Sequence, residues 1–152
     1  TRDTRIIPIG YTGPPSGTHN CDEEWPEKGC PPDSKGGCSL AIHAEQNAIL
    51  YAVRNNMSVE GATLYITLSP CLACARIIFS MGIRKVLYLN SYAAHKGLPT
   101  DEGVDFLRKF GVACEQYSGR PAAYARSPFR GALPGPVHRR LRCSCLWPLR
   151  IF

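Results

Sequence analysis

One pattern constrains this chain more than any other: His43-Ala44-Glu45, followed by Pro70-Cys71-Leu72-Ala73-Cys74. Written as spacing, it is H-x-E and then P-C-x-x-C. One imidazole and two thiolates make three protein ligands, the number that leaves a zinc ion a fourth position for water. Cys71 and Cys74, three residues apart, share a helix face. At a helix N-terminus the dipole and the free N–H groups favour the thiolate, the form a metal needs. The fold therefore has to bring the helix that carries His43 and the helix that opens at Cys71 to one point. Glu45, two residues from the imidazole, reaches that point from another side and is placed to handle the protons of a water held there.

The rest of the chain reads as alternating strands and helices. Residues 4–10 suggest one short strand, with Pro8 at an edge or strand-end position because it removes a ladder donor, and residues 11–17 a loop. Residues 41–55 read as a helix with Ile42, Ile49 and Val53 near helical spacing, Ala44, Ala48 and Ala52 favouring close packing, and His43 and Glu45 in its first turn. Residues 62–68 are a buried strand by their β-branched and aromatic content, and residues 71–81 the next helix, stopped by Gly82. Residues 85–90 are a second apolar strand, and residues 91–100 a loop with Tyr92 and His95. Residues 101–110 form a helix with Val104, Leu107 and Phe110 on one stripe, ended by Gly111, and residues 112–117 a last strand. Strand, helix, strand, helix, strand implies a mainly parallel sheet with helices packed on it.

The net charge of +6 is a property of one end. Residues 1–117 hold 11 Lys/Arg against 12 Asp/Glu, whereas residues 118–152 hold seven arginines and no acid. The body carries no general signal for nucleic acid. Two units follow: residues 1–117 as the folded domain and residues 118–152 as a basic tail rich in Pro, Gly and Arg. The tail's Cys143-Ser144-Cys145 is a weak metal hint beside unpatterned surroundings. No apolar run approaches the roughly 20 residues needed to span a bilayer, residues 1–5 lack a signal-peptide pattern, and the expected location is cytoplasmic. Eight cysteines in a chain of this length with P-C-x-x-C favour metal and a reducing compartment over a disulfide scaffold. His19, Cys21, Cys30 and Cys38 lie in a polar segment with little capacity to bury a core. A second, structural zinc would hold that segment; the alternative is incidental thiols in a surface loop.

Either half of the main pattern alone is weak, since C-x-x-C also occurs in redox and structural zinc sites. Together, with H-x-E opening a helix and P-C-x-x-C following a strand, they argue for a catalytic metal. A closed four-ligand structural zinc would leave Glu45 without a reason. The combined signature is that of the zinc nucleobase deaminases. Residues 42–56, 60–75 and 82–90, the run 105–112 and the loop Ile9–Gly17 resemble the deoxycytidylate deaminases over residues 5–117.

The resemblance implies a three-layer α/β/α cytidine deaminase-like fold with a mixed, mainly parallel sheet. The family's usual first helix and strand precede the segment matching residues 4–10, and the sequence offers neither. It implies zinc on His43, Cys71 and Cys74, Glu45 as proton shuttle, and conversion of dCMP to dUMP and ammonia. It also implies substrate contacts at Thr12 (where the family has Asn), the backbone N–H of Ala44, Ser69 and Tyr92, an effector or subunit contact at Arg54, and a homo-oligomer. His19, Cys21, Cys30 and Cys38 are similar to an insertion that binds a structural zinc in some members. Two other readings compete: a deaminase of cytosine in single-stranded DNA or RNA, gripped through the arginine-rich tail, and a non-catalytic zinc module.

Overall fold

The computed structural model describes residues 8–24, 32–34 and 37–118. In chain order these form α1 (Cys21–Glu24), α2 (Ala44–Arg54), β1 (Thr63–Leu68), α3 (Leu72–Ser80), β2 (Lys85–Asn90), α4 (Tyr92–Lys96), α5 (Glu102–Lys109) and β3 (Ala113–Gln116). Strands β1, β2 and β3 lie side by side in that order, all parallel. A parallel pair cannot be closed by a tight turn, so α3 carries the chain from β1 to β2, and α4 with α5 carries it from β2 to β3. The register places Leu64 beside Val86, Val86 beside Cys114, and Ile66 beside Tyr88.

Side chains alternate along a strand, and here the alternation is one-sided. Leu64, Ile66, Val86, Tyr88 and Cys114 are buried in a single core with Ile78 of α3 and Val104 and Leu107 of α5. The other face carries Thr63, Tyr65, Lys85, Leu87 and Glu115, half-buried or exposed, with Lys85 paired to Glu115 at 2.9 Å. Helix α3 touches both α2 and α5, so the three are neighbours in one layer. This is the expected α/β arrangement. The antiparallel strand implied for the sheet is not among the described residues: positions 1–7 lie outside them, and Pro8, Ile9 and Gly10 have no strand pairing. Pro8 supplies no donor, and β1 has no ladder partner on its outer side among the described residues.

Four further expectations are corrected. Val53 points outward from α2, because a position next to the buried Ala52 turns about 100° away; Ala44, Ala48, Ile49 and Ala52 are buried and pack closely, as expected. His43 is the N-cap of α2 and not part of its first turn. The stretch after β2 is not all loop, because Tyr92–Lys96 makes one helical turn capped by Ser91. Phe110 stays about half-exposed yet closes an aromatic trio, with its ring centroid 4.8 Å from that of Phe106 and 5.3 Å from that of Phe79. Gly82 and Gly111 end their helices at φ of 74° and 81°, as their positions predict.

Helix α5 starts unusually close to the loop after β1. A β-carbon on Gly103 would overlap the Pro70 carbonyl oxygen and lie 2.9 Å from the Cys71 carbonyl carbon. In an ordinary helix interior, Gly→Ala gains up to about 1 kcal/mol. Here the overlap is with backbone, which cannot rotate aside, and over-packing costs about 1–3 kcal/mol. Gly103→Ala should therefore destabilise the fold by about 2 kcal/mol in urea unfolding, and an unchanged or raised midpoint would show that this approach is not tight.

Candidate active site

The site forms where α2 and α3 begin. β1 ends at Leu68, and the Ser69 N–H donates to the Asn90 carbonyl oxygen at 2.8 Å, holding the ends of β1 and β2 together. The chain turns through the buried Pro70 into α3, with Cys71 as its N-cap and Cys74 in its first turn. α2 begins beside it with His43 as N-cap. Neither cap residue makes a side-chain capping hydrogen bond, so imidazole and thiol are free to face each other. His43 Nδ1 lies 3.6 Å from Cys71 Sγ and 3.3 Å from Cys74 Sγ, and all three donor atoms fall within 4.8 Å of one another. A tetrahedral zinc with sulfur at 2.3 Å and imidazole nitrogen at about 2.0 Å would separate N from S by about 3.6 Å. The donor set and its spacing fit zinc, and no other such trio of His, Cys, Asp or Glu occurs among the described residues.

The protonation states follow from the cluster. The hydrogen bond from Cys74 stabilises the Cys71 thiolate; together with the contact to His43 it outweighs burial and lowers the Cys71 pKa to about 4. The same bond, together with burial, raises the Cys74 thiol well above its ordinary value. His43 is raised by its hydrogen bond to Cys71. Glu45 is almost wholly buried, and desolvation raises its carboxyl. Its carboxyl sits in the first turn of the helix, beside the metal-type cluster, and the raised proton affinity suits a group that takes up and gives back a proton.

A second wall comes from the N-terminal loop. Gly13 and Ile42 exchange two backbone hydrogen bonds, at 3.2 and 2.8 Å. The Asn47 amide, one turn into α2, donates to the Tyr11 carbonyl oxygen at 2.8 Å. Gly10 lets this loop lie against the helix, since a β-carbon there would overlap the Ala44 carbonyl oxygen. Thr12 is thereby fixed beside the start of α2. Ala44, as first residue of the helix, has an N–H without an intrahelical acceptor. From the far side comes Tyr92, its phenol pKa raised by partial burial and by the charges of Cys71 and Cys74.

The zinc-binding region of the cytidine and deoxycytidylate deaminases matches residues 1–90. The chain belongs to this family. Among other members, deoxycytidylate deaminase of enterobacteria phage T2 is 38% identical over 128 residues, covering 62% of this chain and 68% of the phage protein. The fission yeast Schizosaccharomyces pombe enzyme is 40% identical over 98 residues, but the match spans only 29% of its length. The solved structure of dCMP deaminase from cyanophage S-TIM5, in complex with dCMP and dUMP, superposes with a TM-score of 0.60 at 32% identity. It covers 77% of this chain and 76% of that one.

Not every expected residue meets at this deaminase-type cluster. The Ser69 hydroxyl is buried and already engaged, accepting from the Tyr92 N–H at 2.6 Å and donating to Asp101 at 3.0 Å. Arg54 ends α2, roughly 16 Å along the axis from His43. His19 is exposed and lies 3.9 Å from Glu23, apart from the Cys21–Cys38 pair, whose sulfurs are 3.6 Å apart. Cys30, Cys143 and Cys145 lie outside the described residues. Two residues escaped the sequence reading. Lys96 is close enough to His43 for its charge to oppose protonation of the imidazole, and Asp101 gathers three hydrogen bonds beneath the Cys71 loop. A short helix around Lys96 gives little periodicity to detect, and an Asp ahead of a helix reads as a simple cap.

These states dictate how metal uptake depends on pH. Below the raised pKa of His43, imidazole and Cys74 both carry protons while Cys71 does not, so metal binding should release about two protons. Above it, only the Cys74 proton remains to be displaced and the release should fall towards one. Calorimetric zinc titrations in buffers of different ionisation enthalpy, from pH 6 to pH 8.5, measure this count. A release that rose with pH would contradict the assignment.

Proposed function

We propose that this protein deaminates dCMP hydrolytically to dUMP and ammonia, with His43, Cys71 and Cys74 holding zinc and Glu45 as catalytic residue. The observation that carries the reading is the convergence of two helix starts: one buried carboxyl stands against one His-Cys-Cys cluster. When bound, zinc supplies the Lewis acidity that brings a water's pKa towards 7.

Glu45 takes a proton from the attacking water and delivers it to N3 of the cytosine ring. The C4–O bond forms as N3 becomes protonated, and C4 is then a tetrahedral centre. Glu45 next carries the hydroxyl proton to the amino group, the C4–N bond breaks, ammonia leaves and C4=O remains. One carboxyl thus serves as base and then as acid, and its burial, which favours the protonated form, suits the second half. The free Ala44 N–H faces the base carbonyl, Thr12 the sugar, and Tyr92 the nucleotide from the other wall. Arg54, distant from this chemistry, is left to an effector or a neighbouring subunit of a homo-oligomer.

The proposal extends to a second, structural zinc on Cys21 and Cys38, completed by Cys30, with His19, which faces Glu23 in this structure, as the fourth candidate ligand. Two sulfurs 2.3 Å from a tetrahedral metal lie about 3.8 Å apart, against 3.6 Å here, and the Ala41 N–H donates to Cys38 Sγ at 3.4 Å. Elemental analysis should find two zinc ions per chain, falling to one in Cys21→Ser; one ion in both proteins would remove the second site.

The substrate test offers dCMP, deoxycytidine and a cytosine-bearing single-stranded oligonucleotide in parallel. Uracil should form from dCMP, and Glu45→Gln should lower kcat by 100-fold or more while zinc content is retained. Uracil in the oligonucleotide alone would move the protein to the polynucleotide deaminases. A zinc-loaded protein silent on all three would make it a binding module.

A further inference from the structure

Asp101 is the N-cap of α5 by position but does not cap it: its backbone lies at φ −85°, ψ 74°, and its carboxylate makes no bond to its own helix. The side chain turns instead to the loops after β1 and β2. Oδ1 accepts from Ser69 Oγ at 3.0 Å and from the Ala93 N–H at 2.7 Å, and Oδ2 accepts from Ser91 Oγ at 2.6 Å. A hydroxyl has one proton to give. With both protons drawn to the carboxylate, the Ser69 oxygen is turned to accept the Tyr92 N–H at 2.6 Å, and the Ser91 oxygen the Ala94 N–H at 3.0 Å. Partial burial opposes ionisation of Asp101, yet the bonds from Ser91, Ala93 and Ser69 outweigh it, so the carboxyl stays ionised below the usual range. Two residues further on, Gly103 presses on Pro70 and Cys71.

We propose that Asp101 is a positioning residue, which through the hydroxyls of Ser69 and Ser91 fastens the Cys71 loop and the Tyr92 segment to the start of α5. Its carboxylate bonds to none of His43, Cys71 and Cys74. Ser69 lies two residues before Cys71, and its hydroxyl holds the backbone of Tyr92, so one carboxylate sets both the thiolate side and the phenol side of the pocket. The proposal rests on the reading of His43, Cys71 and Cys74 as metal ligands.

The experiment replaces zinc by cobalt and records the thiolate-to-metal charge-transfer band, then follows zinc loss to a chelator well below the unfolding temperature. Asp101→Asn keeps the size but replaces one acceptor oxygen by a donor, so one hydroxyl loses its partner. Zinc should leave this variant about 10-fold faster or more, with a shifted cobalt band. Glu102→Gln removes a neighbouring charge from the same helix end without touching either serine, and it should match the wild type. Ser91→Ala, which severs one arm and keeps the carboxylate, should accelerate zinc loss in the same direction by less. Wild-type spectra and release rates in a folded Asp101→Asn protein, or equal losses in Glu102→Gln, would overturn the proposal alone. A wild-type protein that takes up no cobalt would overturn the metal reading and the proposal with it.

Discussion

Parallel pairing of β1 with β2 is the constraint on which the site depends. Parallel neighbours end at the same edge of the sheet, and there the chain leaves β1 into Ser69-Pro70-Cys71 and leaves β2 into Ser91-Tyr92. Two loops that are some 20 residues apart in sequence thereby share one surface, the general location of ligand sites in open α/β sheets. Had β2 run antiparallel, Tyr92 would lie at the opposite edge and the cysteines would face His43 without a second wall. The Ser69 N–H bond to Asn90 seals the pair at its last rung.

Onto that edge come helix starts, and their chemistry is uniform. His43 and Cys71 both occupy N-cap positions without capping anything. The residues that ordinarily stabilise a helix end are absent there, and the free N–H groups face the cluster, where thiolates can use them. The stability given up at two caps is about 1 kcal/mol each, small beside a metal-binding free energy on the order of 10 kcal/mol.

Much of this was legible in the sequence because the signals are local. The strand over residues 85–90 is reproduced residue for residue, and that over 62–68 to within one, since both are short apolar runs bounded by turn residues. Gly82 and Gly111 stop their helices because a positive φ is needed there. His43, Cys71 and Cys74 could be grouped from spacing alone because zinc tolerates few donor sets. What escaped was non-local. Asp101 spends its carboxylate on residues 10 and 32 positions away, a choice that only the folded chain reveals. Ser69 gave no sign that its hydroxyl would be buried. Val53 was misplaced because it follows Ala52 and so lies about 100° round the helix from the stripe that Ala44, Ala48 and Ala52 bury.

His43 and Cys71 are separated by 28 positions, and a metal gripping both is also a cross-link. Closing a loop of that length removes about 3.6 kcal/mol of chain entropy from the unfolded state on the usual loop-closure relation. The segment enclosed contains all of α2 and β1, the helix that carries the buried Glu45 and the strand that leads into the Cys71 loop. Loading the centre therefore tightens the half of the domain that builds it, and metal occupancy and the integrity of the pocket rise and fall as one equilibrium.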